Sequence, residues 1–146
     1  MKVEIKIDDT CEEPRVVIVT DRMTEELNAL VALLSEPRID TLAGFRDNVL
    51  VLLPCGKIVR IYAQNQRVYA KTAEGEYTLK QRLYELGERL DPKVFARISN
   101  SEIINLKMVS SMDLGFSGTI CVRFKTGETS YVSRRYVARI KQILGI

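Results

Sequence analysis

No histidine occurs anywhere in the 146 residues of this chain. Every mechanism that needs an imidazole base is thereby excluded, Ser-His-Asp and Cys-His chemistry among them. Cysteine is scarce as well: Cys11, Cys55 and Cys121 are odd in number, far apart, and without Cys-x-x-Cys spacing. The usual zinc sites need short-spaced thiolates or Cys/His sets, so no metal site, no cofactor and no catalytic residue is expected. Cys121 falls in an apolar strand pattern and reads as a small core residue. Long apolar runs are missing too. The longest, Val49 to Pro54, is far too short to cross a bilayer. The opening Met1-Lys2-Val3-Glu4-Ile5-Lys6 alternates charged and apolar side chains, a strand pattern and not a secretion signal, so the expected compartment is the cytoplasm. There is no glycine-rich phosphate loop; Gly115 and Gly118 flank Phe116-Ser117 in a turn pattern. Aromatic residues make up only 7% and are scattered, which gives single-strand binding by base stacking little support. The acidic loop Asp8 to Glu13 lacks the glycine and spacing of a calcium loop and reads as solvated surface.

What is present is ordinary for a folded protein: 46% apolar and 28% charged residues, enough for one domain with a small appendage. The informative property is how charge is distributed. Residues 1–40 carry ten acidic and five basic side chains, a net −5, whereas residues 41–146 carry nine acidic and 17 basic, a net +8. A basic module joined to an acidic one points to a polyanion-binding domain with a separate partner or regulatory segment; the alternative is ordinary charge scatter.

The acidic part, residues 1–39, reads as a ββα extension. Val3, Ile5 and Ile7 alternate with polar residues, and Val16 to Val19 is a run dominated by β-branched residues. Thr24-Glu25-Glu26 offers a cap and two carboxylates to a first helical turn. Met23, Leu27, Leu30 and Leu34 follow at helical spacing, and Glu36-Pro37 ends the helix. This stripe suits packing on a sheet more than a dimer seam.

Residues 40–146 are strand-rich. Strands are predicted at 42–45, 49–53, 58–62, 67–71, 76–79, 95–98, 103–106, 108–114, 119–124 and 129–132, with turns at Arg46-Asp47-Asn48, Glu74-Gly75 and Lys125 to Glu128. Helices are predicted over Lys80–Leu90 and from Arg134 to Leu144, the latter with Tyr136, Val137, Ile140, Ile143 and Leu144 as its apolar face. The expected class is α+β and mostly β, about ten short strands with little helix.

Three polar segments of the basic module contain no carboxylate. In Ser133-Arg134-Arg135, a serine placed to cap a helix is followed by two arginines in the first turn, where the dipole disfavours cations by a few tenths of a kcal/mol. That placement suits a phosphate or a guanine edge; the competing reading pairs both arginines with surface carboxylates. Arg97-Ile98-Ser99-Asn100-Ser101 offers guanidinium, hydroxyl and amide groups of the kinds that read bases and hold phosphates, although serine and asparagine are also ordinary turn residues. Gln64-Asn65-Gln66-Arg67 connects two strands and is either a base- or phosphate-contacting loop or a solvated hairpin.

The residues from Phe95 to Val109, containing Arg-x-Ser-x-Ser and then Ile-x-Asn-Leu, lead to Gly127-Glu-Thr-Ser-Tyr-Val-Ser-Arg-Arg-Tyr-Val. Together these resemble the C-terminal half of a LytTR domain, and the resemblance covers roughly residues 40–146. It implies a bacterial transcription regulator with a β-rich fold that binds duplex DNA through loops entering successive major grooves. Carried over by position, the contacting segments fall on Gln64 to Arg67, on Ser99-Asn100-Ser101 and on Ser133-Arg134-Arg135, with Asn100 and Arg135 the best-aligned contacts. The family often has a histidine in the first segment, and this chain has none.

About 40 residues precede the domain, too few for the phosphoacceptor receiver found in many relatives. The chain therefore resembles the stand-alone type, and phosphorylation control is not expected. The resemblance also implies paired DNA repeats, a homodimer at least on DNA, and a small membrane protein as inhibitor. The extension is the candidate for dimerisation or inhibitor contact. The competing reading of the chain is a protein-interaction or small-ligand sensor module that uses the same basic loops. An enzyme is not expected, because no acid–base pair or metal set rises above background.

Overall fold

The structure is a computed structural model that describes residues 1–35, 39–115 and 118–146. The expected helix stop at Glu36-Pro37 and the Phe116-Ser117 turn lie outside the described residues. The chain divides into two compact units, Met1–Ser35 and Glu36–Ile146.

In the first unit, helix α1 spans Glu25–Ser35 with Glu25 and Glu26 in its first turn. Thr24 caps it as expected: the Leu27 N–H donates to Thr24 Oγ1 at 3.2 Å. Leu27 is buried and Leu30 half-buried, while Met23 and Leu34 of the same stripe are exposed. The two strands expected ahead of the helix are not formed. Val3, Ile5 and Ile7 are 80%, 87% and 93% exposed, and Val16, Val17 and Val19 are exposed as well. Alternation only proposes a strand. A lone pair of short strands with no face to bury is marginal in water.

In the second unit ten strands follow the predicted pattern closely: β1 (Thr41–Arg46), β2 (Val49–Pro54), β3 (Ile58–Gln64), β4 (Arg67–Thr72), β5 (Gly75–Leu79), β6 (Phe95–Ser99), β7 (Glu102–Asn105), β8 (Val109–Asp113), β9 (Ile120–Phe124) and β10 (Thr129–Val132). All pairs are antiparallel. Seven strands form one sheet in the order β2-β1-β5-β4-β3-β7-β6, and β10-β9-β8 form a second. The mostly β architecture is therefore as the sequence pattern indicates.

Each face of the large sheet buries its own core. On one face Leu42, Leu53, Ile58, Ile61, Tyr77, Leu79 and Ile103 meet Leu83, Leu86 and Leu90, two of them from helix α2 (Leu83–Arg89) and the third its C-cap. Seven residues are too few to be helical alone, so α2 is held by packing, with about 1.5–3 kcal/mol gained per buried leucine. Helix was expected from Lys80, but Lys80–Arg82 is a non-helical connection, with Arg82 extended at φ −82°, ψ 155°. The strand that buries Leu79 leaves the chain needing those residues to turn back over the sheet. On the other face Val59, Ala96, Ile98 and Ile104 pack against Ile120, Val122 and Phe124 of β9, Val132 of β10, and Ile140 of helix α3 (Arg134–Leu144). A bulge between Ile58 and Arg60 shifts the alternation, so that Ile61 joins the core of Ile58 while Val59 points to the other.

Helix α3 has the predicted bounds and stops at Gly145, which takes the left-handed conformation at φ 73°. Its inner face is narrower than expected: Ile140 is buried and Tyr136 and Val137 half-buried, but Ile143 and Leu144 are exposed. Cys121 is half-buried, and the buried cysteine is Cys55. Among the described residues the buried polar side chain is Asn105. Its Nδ2 donates to the Ile58 carbonyl at 2.8 Å, and its Oδ1 accepts from the Lys107 N–H at 2.9 Å. The Asn of the Ile-x-Asn-Leu segment thus joins β3 to the end of β7.

Candidate nucleic-acid interface

The strand order decides which loops can act together. Running across the sheet as β5-β4-β3-β7-β6, the end of β5, the β3–β4 turn and the β6–β7 turn all emerge at one sheet end, because adjacent strands are antiparallel. Four steps at the ordinary strand spacing place β5 and β6 about 19 Å apart. The Ala63 N–H donates to the Ser101 carbonyl at 2.8 Å, which carries the β3–β7 pairing into the turns themselves. Helix α3 is then moored to β6: the Ser133 N–H donates to the Ile98 carbonyl at 2.8 Å, and the Tyr136 hydroxyl donates to Asn100 Oδ1 at 2.9 Å. The three segments singled out in the sequence, some 70 residues apart from first to last, thus form one continuous strip.

In the first segment Gln64 pairs with Arg67 across a two-residue turn, and Asn65 and Gln66 have φ of 52° and 63°. Both central residues in the left-handed region make a type I′ turn, whose twist matches the flanking strands. Asparagine tolerates that conformation; glutamine does so at a cost of roughly 1 kcal/mol. All four side chains, Gln64, Asn65, Gln66 and Arg67, are exposed.

The second segment is a braced turn. Arg97 is half-buried, and its guanidinium donates from Nε to the Ser99 carbonyl at 3.0 Å and from a terminal nitrogen to the Asn100 carbonyl. Ser99 Oγ accepts from the Ser101 N–H at 3.1 Å and lies 3.3 Å from Ser101 Oγ. Asn100 is exposed; one lone pair of its amide oxygen accepts from Tyr136, and among the described residues its NH2 donor has no hydrogen-bond partner. Beneath the turn, Arg60 and Glu102 form a half-buried ion pair at 3.0 Å. The Arg60 guanidinium lies 4.5 Å from the Tyr62 ring centre, and Tyr62 stacks on Tyr69. The Tyr62 hydroxyl is pushed up to about 12, chiefly by burial and then by its hydrogen bond to Glu76.

The third segment opens α3. Ser133 occupies the N-cap position, but its hydroxyl makes no capping bond; the Tyr136 N–H donates to its carbonyl instead. Arg134 and Arg135 are exposed, no acidic residue shares their turn, and among the described residues neither forms an ion pair. The first-turn N–H groups of a helix have no intrahelical partner, so donors and guanidinium charge converge here. Two features of this sheet end went unread in the sequence: the Tyr136 hydroxyl, counted only as part of an apolar helix residue, and Lys80–Arg82, hidden inside an expected helix. Lys80-Gln81-Arg82 is a fourth carboxylate-free polar segment, and that signal was visible.

Among the described residues no group of acidic, cysteine or histidine side chains could hold a metal ion, and no helix is long and apolar enough to cross a membrane. The family model for the LytTr DNA-binding domain matches residues 48–145. An uncharacterized HTH-type transcriptional regulator of Staphylococcus aureus strain NCTC 8325 is 30% identical over 147 residues, which cover 100% of this chain and 99% of that protein. A regulator of the same description from strain MRSA252 is 29% identical over the same lengths. The solved LytTr DNA-binding domain of a methyl-accepting/DNA response regulator from Bacillus cereus superposes with a TM-score of 0.72 at 21% identity, covering 74% of this chain and 99% of that one. The relatives are named as HTH-type, that is helix-turn-helix, regulators, yet among the described residues of this chain five strands separate α1 from α2 and five more separate α2 from α3. The β-rich architecture and the matched 98 residues agree with one another, and the chain belongs to the LytTr DNA-binding domain family.

Proposed function

We propose that this protein is a transcription regulator that binds specific duplex DNA, with the loops of one sheet end inserted in the major groove. The observation that carries the reading is the strip itself: three carboxylate-free polar segments meet at one sheet end, and among the described residues its two exposed α3 arginines have no ion-pair partner. Arg135 is assigned to a base edge, where a guanidinium gives two parallel hydrogen bonds to guanine. Asn100 donates from its NH2 group to a base acceptor, and Arg134, Ser99, Ser101 and Ser133 hold phosphates. Gln64 to Arg67 supply the contact at the end of the strip away from α3. Arg97, committed to two turn carbonyls, serves chiefly to hold Ser99 and Asn100 in place. The regulator would act as a homodimer on paired repeats. The first unit, with exposed Val31, Leu33 and Leu34 on α1, is our candidate for dimerisation or for contact with a small membrane-protein inhibitor.

The test is a mobility-shift titration on the protein's own upstream region with random duplex as competitor. Wild type should hold its site against the competitor. Arg135→Ala should lose about 1–3 kcal/mol of affinity there and become indifferent to one base pair. Equal losses on specific and random duplex would remove the base-reading role of Arg135.

A further inference from the structure

Beside the three loops lies a segment that none of them includes. In the β4–β5 pairing Val68 is opposite Leu79, so Arg67 and Lys80, the next residues outward, emerge side by side at the same sheet end as the β3–β4 turn. The connection then continues through Gln81 and Arg82 before α2 begins. Together with Ala63, Gln66 and Arg67, these residues line an open depression of about 950 Å3.

Its charge is one-sided. Arg67, Lys80 and Arg82 are exposed, no carboxylate lines the depression, and among the described residues none of the three cations forms an ion pair. Lys80 sits over the Phe45 ring at 5.3 Å, a contact that places its ammonium without neutralising it. Like charges on neighbouring strands oppose folding. Three of them gathered around a trough, with no acid to answer them, mark a place completed by an anion from outside. The trough continues the strip at its β5 end, opposite to α3, where a duplex lying across the loops would present its next phosphates.

We infer that Lys80 and Arg82, with Arg67, grip the sugar-phosphate backbone and extend the DNA footprint beyond the three loops. The inference rests on the DNA-binding reading above. These contacts carry no sequence information, so their loss weakens specific and random binding alike.

The experiment measures affinity against salt for wild type, for Lys80→Gln/Arg82→Gln, and for Lys57→Gln, an exposed cation at the opposite sheet end, on both the upstream duplex and a random one. Both substituted residues are exposed, and circular dichroism with a thermal melt confirms the fold. Two lost phosphate contacts at about 0.9 each should make the plot of log affinity against log salt shallower by about 1.8 on both duplexes. A slope for the double variant that matches Lys57→Gln, while wild type binds its site specifically, overturns the backbone grip and leaves the DNA-binding reading intact. A wild type with no preference for its site, but with the slope change preserved, removes base reading and keeps the grip. Absence of salt-dependent DNA binding by wild type removes both.

Discussion

Replacing Asn105 tests whether a residue of the family-like segment is architectural and not a DNA contact. Asn105 is fully buried, and its amide answers two backbone groups: Nδ2 donates to the Ile58 carbonyl at 2.8 Å, and Oδ1 accepts from the Lys107 N–H at 2.9 Å. A second, longer contact runs from Nδ2 to the Gly56 carbonyl at 3.5 Å. In Asn105→Ala both main partners lose their bonds. A buried polar group left unpaired costs about 1–3 kcal/mol, and the Lys107 N–H, nearer the surface, sits at the low end, so the total is about 2–4 kcal/mol. At this chain length each kcal/mol lowers the melting midpoint by roughly 3 °C, giving a fall of about 6–12 °C. Asn105→Asp keeps the acceptor for Lys107 but turns a buried carboxylate toward two carbonyl oxygens, and it should cost at least as much. Denaturant titration with an unchanged slope m would show that the same surface is exposed on unfolding. Because the residue lies inside the sheet, variants that remain folded should bind DNA as wild type does. An Asn105→Ala protein within about 0.5 kcal/mol of wild type refutes the stitching role, since that is the range of an ordinary surface change.

Other consequences follow from the same geometry. Tyr136→Phe deletes the hydroxyl that holds Asn100 Oδ1, at a stability cost of about 0.5–1 kcal/mol for an exposed bond. The released amide can then pair with adenine through both groups, so duplexes varied at each position should show a shift toward adenine at one of them. An unchanged preference profile would mean that Tyr136 does not set how Asn100 is presented. Gln66→Gly relieves a left-handed glutamine at φ 63° and should raise stability by roughly 1 kcal/mol in a thermal melt while weakening specific binding. A gain in affinity instead would take Gln66 out of the interface. Thiol labelling should modify the exposed Cys11 quickly and Cys55 only after unfolding, because burial and then the Asp40 charge push the Cys55 thiol up to about 11. For such a group the unfolded chain loses its proton first, near its ordinary 9, so the contribution is complete below about pH 9 and disappears as pH rises to about 11. Wild type should therefore lose more stability than Cys55→Ala between about pH 9 and 11; parallel losses would refute the linkage.

The sequence made the β-rich unit legible because each strand there has a partner and a core to face. The bounds of α3 were readable for a similar reason: Ser133 opens it, Gly145 closes it, and the pattern between them is strongly amphipathic. The same alternation failed at Val3–Ile7 and Val16–Val19, where among the described residues no partner strand pairs with them and the side chains other than Ile18 stay exposed. At Lys80–Arg82 the spacing of Leu83, Leu86 and Leu90 invited the helix to begin too early. For the site, the three segments could be picked out by their amides, hydroxyls and missing carboxylates. Their meeting could not, because it depends on β3 pairing with β7, which brings Arg60 to Glu102 across 42 residues. Nor does composition reveal that the Asn100 oxygen accepts from Tyr136, or that the Arg97 guanidinium donates to its own turn.

That division of labour separates specificity from stability in a way a recognition helix does not. On a helix, the residues that read bases share a cylinder with those that pack, three or four positions apart. In the proposed reading, Gln64 to Arg67 and Ser99 to Ser101 sit at strand ends, about 4.8 Å apart from one strand to the next, on a sheet fixed by cores on both faces. Arg134 and Arg135 open a helix that packs through Ile140 toward its far end. Exposed Gln64 to Arg67, Arg134 and Arg135 can therefore change without disturbing any buried contact. Arg97 and Asn105 cannot, because Arg97 braces the Ser99–Asn100 turn through its carbonyls and Asn105 answers the Ile58 carbonyl in a buried bond. New DNA preferences should accordingly arise from substitutions in the turns and the first turn of α3, with thermal midpoints nearly unchanged. A library selected for altered sites that instead gathered its changes at Arg97 or Asn105 would show that presentation of the loops, and not the chemistry at their tips, sets the sequence read.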